Sequence, residues 1–296
     1  MGRRALVLGG GGPVGIAWES GLISGLARAG VDLAQADFIL GTSAGSFVGA
    51  RLALGADAAT LVDPILNEPP PAPRAQTDAK PAPPADLTVL MKLMAEAGAG
   101  TRDPQAVRVE IGDFAKAAQT PDEAAYIASF GRSFASLAED AWPTRGYACT
   151  AVDVDTGAFV LWTADSGVGV TRAVASSCSV PGVYPPITLK GRRYMDGGMR
   201  SGTNADMAKG YERVVVIQVR TDASAGAAAD AYARRFEAEI AVLRDAGAEV
   251  VVLAPDAACQ AAMGINLMDF RKRADAARAG VAQGADAAAD LRAFWA

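Results

Sequence analysis

An α/β fold built on a parallel sheet is what this sequence predicts, and three observations carry the prediction. Short β-prone runs alternate with segments whose apolar residues recur at helical spacing, and the first of these runs are joined by glycine-rich turns. The 296 residues, 51% hydrophobic and 21% charged, suit a single globular domain over residues 1–296 with a large core.

The elements follow in order. Arg4 to Leu8 reads as a strand that runs into four glycines, and Ile16 to Arg28 as a helix. Asp37 to Leu40 is a second strand, feeding a tight turn and a helix from Ser46 to about Leu54. From Pro64 to Asp86 the composition shifts to Pro and Ala, including Pro69-Pro70-Pro71 and Pro81-Ala82-Pro83-Pro84. Proline lacks an N–H and fixes φ, so this stretch predicts an extended surface connector. Three helices come next: Leu87 to Ala97 capped by Asp86, Asp103 to Ala117 with Pro104 in its first turn, and Pro121 to Ala138 capped by Thr120. Tyr147 to Val154 and Ala158 to Thr163 flank Asp155-Thr156-Gly157 as a hairpin. Strands return at Val214 to Val219 and Val250 to Leu253, the latter after a helix from Asp230 to Ala246.

Connector and helices, about residues 64–141, thus interrupt an alternating α/β chain as an insertion. Its place soon after the serine turn suits either a cover over a site or a purely structural elaboration. Leu87, Leu90, Met91 and Met94 recur at helical spacing, a stripe for core packing before it is one for a lipid-facing groove.

Composition removes several classes of function. The net charge is −5 with no basic run, which argues against nucleic acid as a partner. Cys149, Cys178 and Cys259 are odd in number and scattered, supporting neither a disulfide framework nor a metal site. No apolar run reaches the length of a membrane span, and no signal-peptide pattern follows Arg3 and Arg4, so the expected location is cytoplasmic.

Chemistry concentrates in three glycine-bearing blocks. Gly10, Gly12 and Gly15 fit a Gly-x-Gly-x-x-Gly pattern between strand and helix, but a dinucleotide site also needs an acidic residue ending the second strand. Asp37 precedes that strand, and Asp32 lies before it, so the dinucleotide reading falls behind. The amides of Gly10, Gly11 and Gly12 at a helix start suit an oxyanion hole instead. In the second block, Gly41 and Gly45 flank Ser43 in a Gly-x-Ser-x-Gly turn between strand and helix, the form of a nucleophile elbow. The chain contains no histidine to activate that serine. A partly desolvated carboxylate can take the proton instead, and Asp196, following a short strand and preceding Gly197 and Gly198, is the best placed candidate. Cys178, with no basic partner in sequence, is a weak rival nucleophile.

Taken together, the glycine loop Gly10 to Gly15, the elbow Gly41 to Gly45, the segment Ala173 to Pro186 and Asp196-Gly197-Gly198 resemble the patatin-like phospholipase family. The resemblance implies a three-layer α/β/α fold, Ser43 as nucleophile with Asp196 as its base, and Gly10 to Gly12 as oxyanion donors. It further implies hydrolysis of lipid or fatty-acyl esters, with transient membrane-surface contact and without metal or organic cofactor. Val14 stands where the family usually has Arg or Lys before the last glycine of the loop, a departure that favours neutral esters over phospholipid. A lipid-binding or scaffolding protein with a silent site is the competing reading on the same fold.

Overall fold

The computed structural model describes residues 2–69, 87–98, 100, 102–219 and 227–296. Mostly apolar runs of four to eight residues, free of proline, form the middle of an eight-stranded sheet. Strands β1 (Arg4–Leu8), β2 (Phe38–Gly41), β3 (Gly146–Asp153), β7 (Arg213–Ile217) and β8 (Glu249–Leu253) pair in parallel in the order β3-β2-β1-β7-β8. β4 (Phe159–Trp162), β5 (Ile187–Leu189) and β6 (Arg192–Asp196) join antiparallel at the β3 end. The hairpin between β3 and β4 turns where Asp155-Thr156-Gly157 predicts it.

Two helical layers enclose the sheet, as alternation along β1 requires. Leu6 and Leu8 face a cluster shared with α1 (Gly12–Arg28), α2 (Ala44–Ala53) and the C-terminal α10 (Arg273–Trp295). Ala5 and Val7 face the opposite cluster, closed by Ile240 and Leu243 of α8 (Ala227–Asp245). Glycine allows α1 and α10 to touch backbone to backbone: a Cβ at Gly21 would lie 2.2 Å from the Ala277 carbonyl oxygen.

Several boundaries differ from the sequence expectation. α1 begins inside the glycine run at Gly12, four residues early, because Gly12 takes φ +58 and Pro13 suits a first helical turn. α2 likewise starts at Ala44, directly after the serine. Among the helices of the expected insertion, α4 (Thr88–Gly98) and α5 (Pro104–Ala117) stand close to where they were expected, with Asp103 accepting the Gln105 and Ala106 amides. Leu90, Leu93, Val107 and Ile111 pack with Val152 and Met195 of the sheet, so core packing is what that stripe does; Met91 faces outward. The third helix, α6 (Glu123–Phe134), is shorter than expected at both ends, and its cap is Asp122 rather than Thr120, since the Asp122 carboxylate reaches the Ala125 amide. Residues 70–86, most of the proline-rich stretch and the Asp86 cap, lie outside the described residues. Short helices α3 (Asp63–Leu66), α7 (Val170–Ser177) and α9 (Ala257–Met263) complete the set among the described residues; α9 and α10 were not anticipated, and α3 corrects the connector expected from Pro64, because a proline is accommodated in a first helical turn and Ile65 is buried.

Candidate active site

β3 sets the level of two sites that are 153 positions apart in sequence. Gly41 lies opposite Cys149 and Asp196 opposite Ala151, only two residues further along the same strand. Ser43 follows Gly41 by two residues, so the elbow and the end of β6 meet over one end of the sheet. Ser43 is almost buried, at 7% exposure, and Asp196 at 2%.

The elbow is strained and held. Ser43 has φ 52 and ψ −118, a left-handed conformation that side chains disfavour and that persists only where surroundings enforce it. Its N–H donates to Ser177 Oγ at 3.0 Å, and its carbonyl accepts from Ser46 Oγ at 2.6 Å and from Cys178 Sγ at 3.1 Å. The flanking glycines are required by close approach: a Cβ at Gly45 would sit 2.2 Å from the Leu8 carbonyl oxygen, and one at Gly41 would overlap Ser46.

Asp196 is fixed from both sides. Its N–H donates to the Ser179 carbonyl at 3.0 Å, and its Oδ1 accepts the Gly198 N–H at 2.7 Å. Burial pushes its carboxyl up to about 7, while hydrogen bonding with the Ser43 side chain and the Gly198 amide pulls the other way. Gly197 packs against Thr150, where a Cβ would lie 2.1 Å from Oγ1.

The glycine loop closes the third side. A Cβ built on Gly10 would lie 3.3 Å from the Ser43 Cβ, so any larger residue there would press on the serine. The sequence model of the patatin-like phospholipase family matches residues 6–209, which carry all three blocks. The chain belongs to the patatin-like phospholipase family. Among solved structures it is similar to VipD from Legionella pneumophila, at 14% identity and TM-score 0.48, covering 98% of this chain and 67% of that one. It is also similar to the type III effector protein ExoU, at 14% identity and TM-score 0.39, covering 96% of this chain and 52% of that one. No match was found among curated proteins.

Within this patatin-like site the three loop amides are not equivalent. Gly10 N–H is committed to the Gly202 carbonyl at 2.8 Å, which removes it from the donors expected for an oxyanion. The amides of Gly11 and Gly12 have no protein acceptor among the described residues. Gly15 serves packing, its N–H returning to the Gly11 carbonyl at 2.8 Å.

A cavity of about 970 Å³ opens onto Ser43, lined by Phe47 of α2, Tyr126 and Phe130 of α6, and Tyr184. Tyr126 stacks on Tyr184 with centroids 4.4 Å apart and donates to the Cys178 carbonyl at 2.8 Å. α6 is pinned across the cavity by Glu123, whose carboxylate accepts from Thr188 N–H and Oγ1 at 2.7 and 2.9 Å. Of the three helices expected to cover the site, α6 alone contributes to this lining.

Two supports were not foreseen. The segment Ser177-Cys178-Ser179, expected only as close-packed scaffold, grips Ser43 with its first two side chains and Asp196 with its third carbonyl. Asn204, fully buried in a left-handed conformation at φ 51, donates from Nδ2 to Thr42 Oγ1 at 3.1 Å and approaches the Gly197 carbonyl at 3.3 Å. It thereby ties the residue before Ser43 to the residue after Asp196. Cys178 is a poor nucleophile here, because burial holds its thiol well above the ordinary range and its Sγ–H is spent on the Ser43 carbonyl. Asp32 and Asp37 cap backbone amides of Ala34 and Arg4 away from the glycine loop, so the structure supplies no ribose partner there. Among the described residues no cluster of three or more Cys, Asp or Glu side chains is placed to hold a metal ion.

Proposed function

We propose that the chain is a serine acyl-ester hydrolase acting on lipids through a Ser43-Asp196 dyad. The observation that carries this reading is the pairing of a strained, nearly buried serine with a buried carboxyl whose pKa is lifted to about 7. A base near the working pH is the most efficient acceptor of a serine proton, and burial does here what imidazole does elsewhere.

In the proposed cycle the acyl chain lies along Phe47, Phe130 and Tyr184, with the ester carbonyl over Ser43. Ser43 Oγ attacks the carbonyl carbon as its proton passes to the Asp196 carboxylate. The oxyanion is received by the amides of Gly11 and Gly12, which lie near the positive end of the α1 dipole. Collapse of the tetrahedral intermediate breaks the ester C–O bond, and the alcohol leaves with the proton from Asp196. Water then gives its proton to the same aspartate as it attacks the acyl-serine; the second intermediate collapses by breaking the bond to Ser43 Oγ, which takes the proton back from Asp196 as the fatty acid is released. An apolar cavity of this size suits a long acyl chain, while Val14 adds no cation beside the loop, so neutral or single-chain esters are the favoured substrates.

The test is labelling with a fluorophosphonate and release of fatty acid from a panel of lipid esters. The expected result is an adduct on Ser43 that is lost or greatly slowed in Asp196→Asn. Near-full turnover in Asp196→Asn would refute the dyad, and saturable lipid binding without any release would favour the silent scaffold.

A further inference from the structure

We propose that residues 264–273 form a docking tip that seats the mouth of the cavity on a lipid surface; the proposal rests on the lipid-ester reading above. Among the described residues, Ile265 and Phe270 stand out as large exposed apolar side chains, at 103% and 56% exposure. Exposure of an isoleucine costs solvation that a folded core would normally recover, and here two such side chains fall five positions apart in one turn-rich segment.

The tip is continuous with the cavity and with the reaction centre. Met268, Phe270, Arg271 and Arg273 line the same cavity as Ser43. The Leu267 carbonyl accepts the Val14 N–H at 3.1 Å, and a Cβ at Gly12 would lie 2.8 Å from that same oxygen. A surface that receives Ile265 and Phe270 therefore lies next to the glycine loop, and a lipid leaving it enters the apolar cavity without crossing water.

Charge selects the partner. Arg271, Lys272 and Arg273 follow Phe270 directly in sequence, with two carboxylates beside them: Asp269, which pairs with Arg271 at 2.7 Å, and Glu68, which pairs with Arg273 at 2.7 Å. One positive charge remains in excess at this rim of a protein whose net charge is −5. Exposed apolar side chains with cations adjoining them match acyl chains below a layer of anionic head groups.

The experiment is co-sedimentation of the full chain with vesicles of equal parts ether-linked phosphatidylcholine and ether-linked phosphatidylglycerol, whose chains offer no acyl ester for the proposed activity to consume. Hydrolysis of a soluble short-chain ester is measured in parallel. Ile265→Asp, at a fully exposed position that does not line the cavity, is expected to weaken vesicle binding at least about tenfold while leaving the soluble ester reaction unchanged. Lys272→Glu should act in the same direction. Equal binding by wild type and both variants, or no binding by wild type, would overturn the docking tip even if the soluble ester is turned over. A change from dimer to monomer in Ile265→Asp with vesicle binding intact would also overturn it, making the patch a self-interface. Vesicle binding that depends on Ile265 without hydrolysis of any ester would keep the tip and remove the proposed activity.

Discussion

Asp196 and Glu19 are both fully enclosed carboxyl groups near the serine elbow, and they differ in everything around them. Asp196 receives the Gly198 amide and the Ser43 side chain, and its pKa settles at about 7. Glu19, on α1, has two buried oxygens without a completed hydrogen bond among the described residues. The Gly9 amide is its polar neighbour and is already committed to the Ile217 carbonyl at 3.0 Å, so burial pushes the Glu19 carboxyl well above its ordinary range. Burial alone makes a carboxyl hold its proton. Burial with a hydroxyl and an amide facing it makes a carboxyl that can exchange one at neutral pH.

The comparison is broken most directly at the dyad. Ser43→Ala and Asp196→Asn are each expected to lower ester turnover by about a thousandfold or more, and the double variant should be little worse, because the pair acts as one unit. Independent, multiplying losses in steady-state kinetics would dissolve the unit. Next in size is Asn204→Ala, which frees the elbow from the Asp196 loop. Misplacement of reacting groups by about an ångström costs on the order of a hundredfold, so kcat should fall between about tenfold and a hundredfold with KM held. A pure KM effect would show that Asn204 shapes binding instead of spacing.

The pH profile sharpens the contrast. The proposed reaction needs Asp196 as carboxylate, so kcat/KM should rise about tenfold per unit as pH increases toward 7 and flatten above it. A profile flat from pH 5 to 9 would place the base elsewhere. The smallest effect on activity is expected from Glu19→Met, within about twofold of wild type, because nothing in the proposed cycle uses Glu19. Its signature is in stability. Folded Glu19 keeps a proton that the unfolded chain releases above a pKa of 4.5, so wild-type stability falls as pH rises from there, by about 1.4 kcal/mol per unit. Glu19→Met lacks this loss, and its advantage in denaturant unfolding should widen with pH up to the raised folded pKa. A constant difference across pH would mean that Glu19 is already ionised in the fold.

Much of the site was legible because its tight packing leaves glycines beside the residues it positions. Gly45 must be glycine because the Leu8 carbonyl lies against it, and Gly197 because Thr150 does; each such demand leaves a glycine visible beside the functional residue. Asp196 could be singled out from its place at a strand end before two glycines. The loss of Gly10 as a donor was not legible, since its partner Gly202 lies far along the chain and reaches the loop only in the fold. Nor were Ser177, Asn204 and the tip at 264–273, which look in sequence like ordinary small or loop residues until the fold brings them to the elbow.

The sequence by itself determined the alternation of strands and helices, the family, the strained serine turn and the absence of any imidazole to serve it. Periodicity and turn chemistry are short-range requirements, and they are written in neighbouring residues. The tertiary structure alone decided which amides remain free, how far a buried carboxyl is lifted, and which segment stands at the mouth of the cavity. These depend on desolvation and on hydrogen bonds between residues more than a hundred positions apart, as between Ser43 and Ser177, and only the closed sheet brings such partners together.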